Sequence, residues 1–221
     1  MKLIILDIDG TMTLSEQHHL SAFLDGMQGV GVQEVNTNWG GYEHITDTFI
    51  FKENYRAQFG EDPDEAVLEL LEELITDSIL EFVPPKEVPG AKVFVEMIQK
   101  SDDYVFVYAT GALNAPAKYK LDETGISYED SIMIGSNGYD TREEIVTAAI
   151  EAAKSHYKVD DFEKIISAGD GMWDLTTARN LDLPFLGIGA KNRDKFVAEG
   201  AQFFRDDWIG VDREYLDVIV K

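Results

Sequence analysis

The chain has 221 residues, 44% hydrophobic and 28% charged, and no cysteine. That suits one sizeable soluble unit or a core with an insertion, and it excludes disulfides, thiolate metal sites and a cysteine nucleophile. Its 42 acidic against 19 basic residues give a formal charge of −23, which argues against nucleic acid or an anionic membrane as a partner and demands a local cation wherever an anion binds.

In chain order, the first element is "LIILD" at 3–7, an apolar run that ends in a carboxylate. No apolar run approaches the roughly 18 residues of a membrane span, and the N-terminal run is too short for a secretory core, so the expected location is cytoplasmic. Residues 12–88 show no strand run and carry helical stretches such as "DEAVLELLEELITDSILEFV" at 64–83. They hold sixteen acids against three bases (Lys52, Arg56 and Lys86), a net −13 of the −23. Four further apolar runs follow at 104–110, 131–136, 164–170 and 184–189, with helical patterns between them. "GAKVFVEMIQK" precedes the first of these, "APAKYKLDETGI" follows it, and "TREEIVTAAIEAAKSHY" and "WDLTTARNLDL" come later. Strands alternating with helices predict an α/β fold: a parallel sheet with helices on both faces, interrupted by a helical insertion. The expected division is a core of 1–11 and 89–221 and a helical unit of 12–88.

Ligands of open parallel sheets bind beyond the carboxyl ends of the strands. Asp7, Thr110, Ser136 and Asp170 all stand at such ends, and Asp9 and Asp174 follow two and four residues later. Period-two geometry turns Asp7 and Asp9 the same way. Close carboxylates repel unless a cation lies between them. "DG" is also a turn signal, and Asp174 suits the first turn of a helix, but a cap explains only one carboxylate at a time. The four acids Asp7, Asp9, Asp170 and Asp174 form an all-oxygen set that suits Mg2+. Thr110 and Gly111 can offer hydroxyl and backbone N–H groups to an anion, although "TG" after a strand is also an ordinary turn.

Together these motifs resemble the haloacid dehalogenase-like hydrolase superfamily. The match is D-x-D-G-T at Asp7, Asp9, Gly10 and Thr11, a strand ending in Thr110, and G-D-x-x-x-D at Gly169, Asp170 and Asp174. The resemblance implies a Rossmann-like core with a mobile helical cap, and a phosphomonoester hydrolase acting on a small phosphorylated metabolite. Asp7 would be the nucleophile that forms an aspartyl-phosphate, and Asp9 the general acid and base. Mg2+ would be held by Asp7, the Asp9 carbonyl and Asp170, with Asp174 helping through water or by orientation. The family usually supplies a lysine before the last motif; here the region reads "SNGYDTREEIV". Arg142 is the preferred phosphate-binding cation because arginine suits a bidentate contact, and Lys120 is the other candidate.

Within the insertion, "NWGGYEHITDTFIFKENYR" offers Gly41, His44, Thr46 and Asp47 as candidate substrate contacts, with an interhelical turn capped by Thr46 or Asp47 as the structural alternative. Lys52 and Arg56, one helical turn apart, are candidates to meet a substrate carboxylate. His18 and His19 read as solvated, and Trp173 as packing. Candidate substrates are phosphoglycolate, a sugar phosphate or a nucleoside monophosphate. A phosphomutase of the same fold is the alternative, and a receiver-like or phosphate-binding module a more distant one.

Overall fold

The computed structural model describes residues 1–221. Six parallel strands form the central sheet: β1 (Lys2–Leu6), β4 (Tyr104–Ala109), β5 (Met133–Ile134), β6 (Lys164–Gly169), β7 (Phe185–Ile188) and β8 (Phe203–Arg205). Their order is β5-β4-β1-β6-β7-β8. The chain leaves β1 for β4 and β5 on one side, then crosses back to β6, β7 and β8 on the other. The switch in direction falls between β1 and β6, where such sheets open a crevice for ligands. Leu3 lies opposite both Val105 and Ile165 in register. Successive residues Leu3, Ile4, Ile5 and Leu6 are all buried, so both faces of β1 are covered, as a central parallel strand requires.

The covering helices are α4 (Ala91–Gln99), α5 (Asn114–Thr124), α6 (Arg142–Tyr157), α7 (Met172–Asn180), α8 (Arg193–Ala198) and α9 (Arg213–Ile219). Helix α6 starts where the sequence expects. Thr141 accepts the Glu144 N–H, and the Glu144 carboxylate returns to the Thr141 N–H, a reciprocal cap that fixes Arg142 as the first helical residue. Helix α5 stops at Gly125, which takes the left-handed conformation.

Residues 12–88 contain α1 (Glu16–Gly29), α2 (Asp47–Phe59) and α3 (Glu65–Ile79), with a 3₁₀ turn at Trp39–Gly41. They pack around a separate apolar cluster that includes Phe23, Met27, Phe51, Leu71 and Ile75. The expectation of no strand here is corrected at both ends. β2 (Thr13–Leu14) pairs antiparallel with β3 (Lys86–Glu87), tying the outgoing and returning chains together beside the sheet. No helix is long and apolar enough to cross a membrane.

Candidate active site

The acidic motifs converge at the β1/β6 switch. Asp7 is the first residue past β1, and its N–H bonds to the Ala168 carbonyl of β6 at 3.0 Å. Asp170 follows β6 directly, and Asp174 lies in the first turn of α7, where its carboxylate accepts the Gly171 N–H at 2.9 Å. Oxygens of Asp7, Asp170 and Asp174 all lie within 4.8 Å of one another, and all three residues are buried. Gly10 makes the approach possible. It has φ +78°, and a Cβ there would stand 2.5 Å from the Asp170 carboxyl. Thr11 donates to Asp7 Oδ2 at 3.2 Å.

This concentration of like charge is costly. Burial first, and then the charges of Asp7 and Asp174, push the Asp170 carboxyl up to about 9. Burial likewise raises Asp174, with Asp7 adding to the effect, and raises Asp7, against the pull of Arg142. Asp170 Oδ1 is buried with no hydrogen-bond partner. Three hard oxygen donors with one orphaned acceptor fit a divalent cation such as Mg2+.

Two cations oppose the acids, and they face different ones. Arg142 Nη1 lies 3.1 Å from Asp7 Oδ1 and 3.5 Å from Asp174 Oδ1, while its Nε donates to the Ile45 carbonyl at 2.9 Å. A Cβ on Gly111 would stand 2.6 Å from the guanidinium, so this glycine makes room for the arginine. Lys120, on α5, is wholly buried, and its Nζ lies 2.7 Å from Asp9 Oδ2. Ser15 donates to Asp9 Oδ1 at 2.5 Å. Burial disfavours ionised Asp9, but Lys120 and His19 outweigh it and hold the carboxyl at about 2.

The insertion closes over this edge through its 45–48 segment. Thr46 caps α2 by accepting the Phe49 N–H, and it donates to the Asp140 carbonyl at 2.8 Å. The Asp47 N–H bonds to the Gly111 carbonyl, and Asp47 Oδ2 accepts the Leu113 N–H at 3.0 Å. Thr48 donates to the Ser136 carbonyl at 2.7 Å. Between core and insertion lies a cavity of about 160 Å³, lined by Asp7, Asp9, Thr110, Gly111, Arg142 and Asp170 on the core side. Thr46 and Asp47 line it from the insertion.

Several expectations change. His19 is buried, not solvated: its Nε2 lies 3.0 Å from Asp47 Oδ1, and the ring lines the cavity. His18 stacks on Phe82. Trp173 is 36% exposed and lines the cavity instead of packing in the core. Gly41 and His44 lie outside the cavity lining, His44 meeting the edge of Phe49. Lys52 pairs with Asp140, and Arg56 with Glu53 and Asp62; neither reaches the cavity. Lys120 is spent on Asp9 and is not part of the lining. Sequence reasoning missed Glu16, Phe23, Trp39 and Lys191, which also line it. Their only signal is position on an insertion helix face or in a late loop.

The family model described as "Hydrolase: haloacid dehalogenase-like hydrolase" matches residues 1–182. A search of curated proteins finds no match. Among solved structures, a hydrolase from Pseudomonas syringae is similar at 16% identity and TM-score 0.69, over 100% of this chain and 99% of that one. CbbY from Rhodobacter sphaeroides, solved in complex with phosphate, is similar at 14% identity and TM-score 0.71, over 97% and 98%. A predicted phosphoglycolate phosphatase from Haemophilus somnus 129pt is similar at 15% identity and TM-score 0.60, over 98% and 96%. At such identities the likeness establishes the fold, and the family model, matching most of the length, establishes membership: the chain belongs to the haloacid dehalogenase-like hydrolases.

Proposed function

We propose that the protein is a Mg2+-dependent phosphomonoester hydrolase acting on a small phosphorylated metabolite through an aspartyl-phosphate on Asp7. The observation that carries this reading is the buried triad of Asp7, Asp170 and Asp174 facing Arg142 at the sheet's switch point. The cavity of about 160 Å³ lies below the roughly 300–1,000 Å³ typical of drug-sized ligands, which favours a small ester.

Asp7 attacks phosphorus, and the bond to the ester oxygen breaks. Arg142, fixed by Ile45 and the α6 cap, steers a phosphoryl oxygen beside Asp7. Asp9 is ionised before substrate arrives because Lys120 holds it so. It is therefore ready as the base for the hydrolytic water, and it acts as acid towards the leaving oxygen once a proton has entered with the substrate. Asp7, the Asp9 carbonyl, Asp170 and Asp174 would hold Mg2+, which supplies neutralisation of the carboxylates and of the phosphoryl oxygens. The helices of 16–79 act as a cap that excludes water from the phosphoryl group.

The test is phosphate release from a panel of phosphomonoesters, with Mg2+ or EDTA, by wild type and Asp7→Asn. Metal-dependent release that Asp7→Asn abolishes supports the reading. Transfer of phosphate to a second hydroxyl with no free phosphate would replace it with a mutase.

A further inference from the structure

We propose that the substrate's leaving group is an uncharged, largely apolar alcohol or phenol, and that the cavity rejects esters carrying a second anion. The inference rests on the phosphohydrolase reading above and names its substrate class.

It follows from an inventory of charge around the cavity. A second anion, such as the carboxylate of phosphoglycolate or the far phosphate of a bisphosphate, needs a cation away from the reacting phosphoryl group. None is free. Arg142 is bound to Asp7 and to the Ile45 carbonyl at the phosphoryl end. Lys120 is buried against Asp9. Lys191, at the rim, is 73% exposed and pairs with Glu16 at 3.2 Å. The insertion's own cations, Lys52, Arg56 and Lys86, lie outside the lining.

The wall that would face the leaving group is instead apolar, with Leu20, Phe23, Trp39, Ile45 and Ile50. Its one buried polar pair is His19–Asp47. An ionised Asp47 can only accept, so His19 Nε2 carries the hydrogen between them. In the neutral ring this leaves the pair at −1 and Nδ1 as a buried acceptor, which has no partner in the protein. If the ring is protonated, the pair reaches zero net charge. In neither state does the pair carry net positive charge to draw in a second anion. The shortage is built into the sequence, since 12–88 carries sixteen acids and three bases.

The test uses two esters of like size, 4-carbamoylphenyl phosphate and 4-carboxyphenyl phosphate, which differ by one charge. Their affinities for Asp7→Asn with Mg2+ are measured by calorimetry, and their kcat/KM values with wild type. The expected result is at least a tenfold preference, about what one unscreened like charge imposes, for the uncharged carboxamide ester. In Asp47→Asn the gap narrows. Equal or reversed preference, or no binding of either ester, overturns the proposal. Discriminating binding by Asp7→Asn without any wild-type turnover would sink the phosphohydrolase reading and leave the charge selection of the cavity standing.

Discussion

Replacing Asp170 by Asn should stabilise the metal-free protein while abolishing its response to Mg2+. The folded state holds the Asp170 proton until about pH 9, against the ordinary aspartate value of 3.8. Between those limits the unfolded chain has lost a proton that the folded chain keeps, so stability falls as pH rises. At pH 7 the interval above 3.8 is worth about 4 kcal/mol, at roughly 1.36 kcal/mol per unit. Asparagine removes that cost, and its amide can donate to the neighbouring acids. For a chain of this length, 4 kcal/mol corresponds to a rise of roughly 10 °C in Tm.

The assay is thermal unfolding in EDTA and in excess Mg2+, for both proteins, from pH 5 to 9. Wild type in EDTA should lose stability across that range and recover it when the metal binds; at a hundred times Kd the linkage gain is about 2.7 kcal/mol. Asp170→Asn should start higher in EDTA, show a flatter pH dependence and gain little from Mg2+. A variant less stable than wild type in EDTA, or one that Mg2+ stabilises as strongly as wild type, would refute the reasoning.

Three further perturbations test the surrounding contacts. Gly111→Ala puts a methyl group 2.6 Å from the Arg142 guanidinium; displacing the arginine should lower kcat/KM about 100-fold with the fold intact, as circular dichroism would report. Lys120→Met leaves a partly buried Asp9 without its ammonium partner, which should cost about 3 kcal/mol in urea unfolding, the low end for a broken buried pair. Without that ammonium, the Asp9 carboxyl also rises from about 2, so the stability its ionised form contributes is lost at a higher pH on acidification, and the acid limb of the kcat/KM profile moves up with it. Thr46→Val removes the α2 cap and orphans the Asp140 carbonyl, an expected loss of about 1 kcal/mol or slightly more in the same unfolding assay.

How much of this was legible in sequence depended on whether the signal was local. The buried strands announced themselves because a parallel strand covered on both faces reads as an unbroken apolar run. Strand β8 did not: Phe203–Arg205 is a three-residue edge strand, half-buried and followed by two aspartates. β2 and β3 are two residues each, too short for any period, and pair across more than seventy residues. The run at 131–136 shrinks to Met133–Ile134 because a 3₁₀ turn occupies its start. Asp7, Asp9, Asp170 and Asp174 were found because strand ends gather at one edge. The partition of the cations was hidden: Lys120 reaches Asp9 across 111 positions, and Arg142 reaches Asp7 across 135. His19 looked solvated beside His18 because its partner, Asp47, is 28 residues away on another helix.

That partition bears on what the site can accept. Asp7, Asp9, Asp170 and Asp174 bring four formal negative charges, and Arg142 and Lys120 return two. With all four ionised the deficit of two matches one divalent cation, so the metal proposed here would take the place of the proton that Asp170 holds without it. A phosphomonoester then arrives with about −1.5 to −2 of its own, and the remaining charged pairs at the cavity, His19–Asp47 and Glu16–Lys191, have no positive charge to spare. The metal proposal and the exclusion of a second anion thus rest on one arrangement. If Mg2+ binds with a stoichiometry of one and the carboxylated ester is still accepted, the charge count fails at the substrate end. If no divalent ion binds, it fails at the carboxylates.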